Sequence, residues 1–167
     1  GTKRDWLMSK KNPGSFSILS IDGGGILGLY SANMLKHIQE DVLEGGPFSE
    51  YFDLITGTST GGIIGLGLAS GHSAAEIEDF YRKHGREIFP RTSSFFQKFR
   101  LCFSSKYSNQ KLATCLEEFF GKTKVSDCPI KFCVPAIDVS EGRAVVFKTN
   151  NSGTQNRDND YLLKDVA

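Results

Sequence analysis

Short apolar runs that end in glycine alternate with longer stretches of helical periodicity through the N-terminal half of the chain. Phe16-Ser17-Ile18-Leu19-Ser20-Ile21 is brief, apolar and followed by a glycine cluster, which predicts a buried strand. Residues 26–43 carry Leu29, Met34, Leu35, Ile38 and Val42 at helical spacing until Gly45-Gly46-Pro47 stops them. The same order then recurs. A strand over 51–56 leads to the turn Gly57-Thr58-Ser59-Thr60-Gly61 and a small-residue helix over 62–70 closed by Gly71. Two strand–turn–helix units in series predict a parallel sheet with right-handed crossover helices.

Farther along, Ser73-Ala74-Ala75-Glu76 has capping-box spacing, so a helix is expected to start there and run to about His84. Residues 109–120 place Leu112, Cys115, Leu116 and Phe119 on one helical face, with Gly121 as the stop. Residues 130–139 and 143–148 read as strands separated by Ser140-Glu141-Gly142, and a polar loop over 150–160 precedes a helix opening after Asp160. The expected fold is α/β, a three-layer α/β/α arrangement with a mostly parallel sheet. Residues 1–15 are a polar, basic lead-in. Four strands fall short of the five or more usual in a doubly wound sheet, so 16–167 is expected to be the N-terminal part of a larger domain.

Composition removes several classes of function. The 167 residues suit one domain, and a net charge of +1 lacks the basic excess of a nucleic-acid binder. No apolar run approaches the roughly 18 residues of a membrane span. The opening Gly1-Thr2-Lys3-Arg4-Asp5 has no signal pattern, and Asp5 stands where a myristoylation motif wants Ser or Thr. Cys102, Cys115, Cys128 and Cys133 form no C-x-x-C pair and all three histidines lie upstream of them, which argues against a zinc site. Reduced thiols in a cytoplasmic protein are the expectation.

The sharpest chemical signal is Gly57-Thr58-Ser59-Thr60-Gly61, a G-x-S-x-G between an apolar strand and a helix. A strand that turns at once into a helix strains its central residue. Side chains two positions to either side would collide with neighbouring backbone, so Gly57 and Gly61 are required for the Ser59 hydroxyl to stand exposed. The helix start near Thr60 adds partial positive charge and open amides. Upstream, Asp22-Gly23-Gly24-Gly25-Ile26-Leu27-Gly28 offers consecutive amides without Cβ atoms, a donor array for an oxyanion or a phosphate. As Gly23-x-Gly25-x-x-Gly28 it also fits a dinucleotide fingerprint, although Asp22 would repel a pyrophosphate and the next strand ends without the ribose-binding acid. A P-loop is excluded, because no Lys-Ser or Lys-Thr pair follows.

Together, Asp22-Gly23-Gly24-Gly25-x-x-Gly28 and Gly57-Thr58-Ser59-Thr60-Gly61-Gly62 resemble the patatin-like phospholipases, serine lipid acyl hydrolases that work with a Ser–Asp dyad. The resemblance extends from about Phe16 to the end of the chain, through Phe52-Asp53-Leu54-Ile55 and Val134-Pro135-Ala136-Ile137-Asp138. It implies Ser59 as nucleophile and an oxyanion hole of the Gly24 and Gly25 amides, helped by Gly23 and Thr60. Phospholipid or other lipid esters would be the substrates, a peripheral membrane surface a partner, and no metal or other cofactor would be needed.

Two positions depart from the family pattern. Leu27 occupies the site of a commonly basic residue, and no Asp-Gly-Gly or Asp-Gly-Ala follows Ser59, so the partner aspartate is expected outside this chain and the 167 residues alone are expected to be inactive. His72 and His84 are expected in solvated or capping roles and Asp138 as a structural or turn acid. Residues 89–107 interleave Phe95, Phe96, Phe99 and Phe103 with Arg91, Lys98, Arg100 and Lys106, which suits either an interfacial flap or core packing. The alternatives to hydrolysis are a nucleotide-binding module built on the Gly23–Gly28 loop and a catalytically silent scaffold.

Overall fold

A computed structural model describes residues 14–88, 106–138, 140–149 and 157–167. Strand β1 (Ile18–Ile21) leads through a 3-10 turn (Gly25–Leu27) into α1 (Gly28–His37), which continues as a π-helical turn (Ile38–Val42). A 3-10 turn (Phe48–Glu50) precedes β2 (Leu54–Gly57), and α2 (Thr60–Ala69) and α3 (Ala74–Ile88) follow. Then come α4 (Lys106–Phe120), a 3-10 turn (Val125–Asp127), β3 (Lys131–Asp138), β4 (Arg143–Lys148) and α5 (Leu163–Val166). The expected lead-in falls almost wholly outside the described residues, and so does the aromatic stretch except for Lys106 and Tyr107, whose backbone opens α4.

The sheet order is β1-β2-β3-β4, with the first three strands parallel and β4 antiparallel to β3. Sequence order and spatial order advance together from β1 to β3. Right-handed crossovers in such an arrangement all return on the same side of the sheet, so the connecting helices share one face. Leu19, Ile21, Ile55, Gly57, Phe132 and Val134 line that face, and α2 lies on it with every one of its residues buried. A helix apolar all round belongs in an interior, and α2 is accordingly covered by its neighbours. On the opposite face Ile18 and Ile137 are 54% and 73% exposed, so the second helical layer of an α/β/α domain is not supplied by the described residues.

Local chemistry explains the element boundaries. The Asp53 carboxylate accepts the Ser17 amide at 2.8 Å, while the Ser17 carbonyl accepts the Asp53 amide, which sets the β1–β2 register. The capping box forms as expected: the Ser73 amide donates to Glu76 Oε2 at 2.7 Å and the Glu76 amide to Ser73 Oγ at 3.2 Å. The single helix expected over 26–43 is instead three pieces. Its wider π turn includes buried Gln39, whose side chain donates to the Gly46 carbonyl at 3.2 Å and accepts the Ala74 amide at 2.8 Å. That one amide group closes the end of the first helical segment and caps the start of α3.

Candidate active site

Strand β2 delivers the chain to Ser59, the residue before α2, with φ 55° and ψ −127°. A positive φ is rare for a residue with a Cβ and costs of order 1–3 kcal/mol unless the surroundings enforce it. The surroundings here are backbone. A Cβ at Gly61 would lie 2.9 Å from the Asp22 carbonyl carbon and oxygen, and one at Gly57 would lie 2.9 Å from the Gly62 nitrogen. Ser59 is exposed, as are Thr58 and Asp22, whereas Thr60 is buried. The Ser59 carbonyl accepts the Gly62 amide at 2.8 Å, so the strained residue is locked into the first turn of α2.

The glycine loop after β1 is pressed against this bend. A Cβ at Gly23 would come 2.9 Å from Ser59 Cβ. Gly24 lies at φ 169°, and Gly25 takes a φ of +60° that favours glycine. The Gly24 amide donates to Thr60 Oγ1 at 3.1 Å, and the Gly23 amide reaches Thr58 Oγ1 at 3.4 Å. The structure therefore brings Gly23, Gly24, Gly57, Ser59, Thr60 and Gly61 into one cluster, with Gly25 the next residue of the same loop.

Helix α3 holds the two motifs together through residues that sequence reasoning did not single out. The Tyr81 hydroxyl donates to the Thr60 carbonyl at 3.0 Å in a buried bond. A Cβ at Gly28 would meet the Tyr81 ring at 3.1 Å and Thr60 Cβ at 3.2 Å, so the end of the glycine loop rests on the same pair. Burial raises the Tyr81 phenol above its ordinary range, which keeps it a hydrogen-bond donor at any working pH. One turn earlier, Glu78 is 1% exposed and accepts from Asn33 Nδ2 at 3.0 Å, Lys36 Nζ at 3.1 Å and Arg82 Nε at 2.9 Å. These bonds, with Arg82 first, hold the Glu78 carboxyl at about 2. They clamp α1, which begins at the glycine loop, onto α3.

The remaining acid and base candidates are engaged elsewhere. His72 and His84 are packed rather than solvated, contrary to expectation. His72 pairs with Ser70 Oγ at 2.9 Å and stacks on Phe119 at 4.4 Å, and His84 faces Cys115 Sγ at 3.3 Å. Asp138 is a turn acid that accepts from Ser140 Oγ at 2.6 Å and the Ser140 amide at 3.0 Å, contacts that lower its pKa. Cys115, Cys128 and Cys133 are unbridged, and among the described residues no cluster of three His, Cys, Asp or Glu could hold a metal.

The sequence pattern that defines the family Patatin-like phospholipase matches residues 19–167. The chain belongs to that family. This patatin-like chain is 36% identical over 162 residues to a cGAMP-activated phospholipase of Vibrio cholerae, an alignment spanning 90% of the chain and 46% of the relative. It is 33% identical over 156 residues to Patatin-like protein 3 of Arabidopsis thaliana, spanning 80% of the chain and 36% of the relative. The chain thus spans less than half the length of these curated relatives. Among solved structures it is similar to the type III effector protein ExoU, at 16% identity and TM-score 0.43, across 87% of the chain and 37% of ExoU. No helix among the described residues of the patatin-like fold is long and apolar enough to cross a membrane.

Proposed function

We propose that this patatin-like chain carries the nucleophile and oxyanion loop of a serine lipid acyl hydrolase of the phospholipase A or lysophospholipase type. Ser59 Oγ attacks the ester carbonyl of a lipid, the alcohol leaves, and water then cleaves the acyl-enzyme. The Gly24 and Gly25 amides, with Gly23 and Thr60, receive the oxyanion, and each well-aimed donor contributes about 3 kcal/mol to the transition state. The Gly24 amide reaches the oxyanion by exchanging Thr60 Oγ1 for the substrate oxygen, a swap between two acceptors that needs no large backbone movement. The proton acceptor for Ser59 is an aspartate outside these 167 residues. The protein works without a metal or cofactor, in the cytoplasm and peripherally at membrane surfaces.

The observation that carries this reading is the strained, exposed Ser59 backbone with Gly23 packed against it. Scaffold glycines alone do not require a serine at φ 55°. In the complete protein a fluorophosphonate probe is expected to label Ser59 and to fail on Ser59→Ala, and the same substitution is expected to abolish release of fatty acid from phospholipid vesicles. Absence of labelling in the folded wild type would refute the hydrolase reading in favour of a silent scaffold.

A further inference from the structure

Away from Ser59, helices α3 and α4 enclose a polar cavity of about 280 Å³ lined by His84, Gln110, Lys111, Thr114, Cys115 and Glu118. Three of these residues form a chain of contacts: Cys115 Sγ lies 3.3 Å from His84 Nδ1, and His84 Nε2 lies 4.0 Å from Glu118 Oε2. A nucleophile, an imidazole and a carboxylate are thus aligned on the wall of an accessible space. Nothing in the proposed acyl transfer uses them.

We propose that Cys115 and His84 form a reactive thiolate–imidazolium pair, a site at which small hydroperoxides oxidise this protein. The arrangement meets the requirements of such a site. A thiolate is the reactive form of cysteine, and a neighbouring imidazolium stabilises it. Glu118, across the ring, favours the charged imidazole, and Lys111, one helical turn before Cys115, adds a second positive charge to the lining. Its nearest charged neighbour on α4 beyond the cavity, Glu117, is held by Lys164 of α5 at 2.7 Å. The Phe80 ring, 5.4 Å from that of His84, backs the imidazole and holds it toward the sulfur.

The chemistry balances. The Cys115 thiolate attacks one peroxide oxygen, the S–O bond forms as the O–O bond breaks, and the departing oxygen takes the imidazolium proton and leaves as water or an alcohol. Sulfur is oxidised by two electrons to the sulfenic acid, and the peroxide is reduced. The chain supplies its own contrast, because burial and then Asp127 push the Cys128 thiol up to about 12, the setting of an inert cysteine. Oxidation at Cys115 would act on the seam beside α3, the helix that carries Tyr81 and Glu78.

The test treats the complete protein with hydrogen peroxide in the presence of dimedone and follows each cysteine peptide by mass spectrometry. Cys115 is expected to form the dimedone adduct at least about tenfold faster than Cys128, and His84→Gln to slow it about tenfold without changing the thermal unfolding of the unoxidised protein. Equal rates at the two cysteines, or an unchanged rate in a folded His84→Gln protein, overturn the proposal. Should that variant fail to fold, iodoacetamide labelling of wild-type Cys115 decides. A rate already near its plateau at pH 6.5 supports the pair, whereas one climbing through about pH 8.5, as for an ordinary thiol, overturns it.

Discussion

The Tyr81 hydroxyl donates to the Thr60 carbonyl at 3.0 Å, which ties α3 to the residue that follows Ser59. The bond is buried and the ring also supports Gly28, so one side chain sets the distance between the serine bend and the glycine loop. Tyr81→Phe keeps the ring and deletes the donor. It is expected to cost about 1 kcal/mol in urea unfolding, the usual net value of such a bond, and to lower kcat more than it raises KM.

Local signals made much of this architecture legible in the sequence. The capping box at Ser73 and Glu76, the glycine stops and the strand–turn–helix grammar around Ser59 all act within a few residues, so spacing alone exposes them. The Tyr81–Thr60 bond spans 21 residues and the Glu78–Asn33 bond 45, and neither partner carries a mark that distinguishes it from an ordinary amphipathic helix residue. His84 illustrates the same limit, since its role comes from Cys115, 31 residues away on another helix. The break in the helix over 26–43 was hidden for a related reason: apolar periodicity continues through Ile38 and Val42, and only the two bonds made by Gln39 reveal what the π turn accomplishes.

Gly61→Ala tests the packing of the bend against β1. The new methyl group would press on the Ile21 and Asp22 backbone, and backbone cannot yield as a flexible side chain does. Overpacking of this kind is expected to cost about 3 kcal/mol and to displace Ser59. The checks are the midpoint of chemical unfolding and the loss of fluorophosphonate labelling in whatever fraction remains folded.

Glu78 gives a pH dependence with a definite sign. Its folded-state pKa is held near 2, below the ordinary 4.5, by Arg82, Asn33 and Lys36. A depressed carboxylate contributes stability that is fully present above the unfolded value and is lost as pH falls from about 4.5 toward 2. Glu78→Gln removes the charge while Lys36 and Arg82 keep access to water, their side chains being 32% and 61% exposed. The expected cost at pH 7 is therefore about 2 kcal/mol, below that of stranding a fully buried charge. Unfolding midpoints measured from pH 7 to pH 2 should converge for wild type and variant at the acid end, and parallel curves would contradict the assignment.

Ser59→Gly separates stability from chemistry at a single atom group. At φ 55° and ψ −127° the serine Cβ is strained, and glycine adopts this conformation without penalty. Glycine also gives the unfolded chain more freedom, which offsets part of the relief. Strain of order 1–3 kcal/mol set against an entropic loss of up to about 1 kcal/mol leaves a net gain of about 1 kcal/mol for the variant. The same change deletes the hydroxyl, so esterase activity and fluorophosphonate labelling should disappear together. Ser59→Ala retains the Cβ and its strain, and should lose activity while staying close to wild type in stability. A Ser59→Gly protein no more stable than Ser59→Ala would mean that the bend costs the fold nothing, and the argument that the backbone is bent to present this hydroxyl would then lose its energetic support.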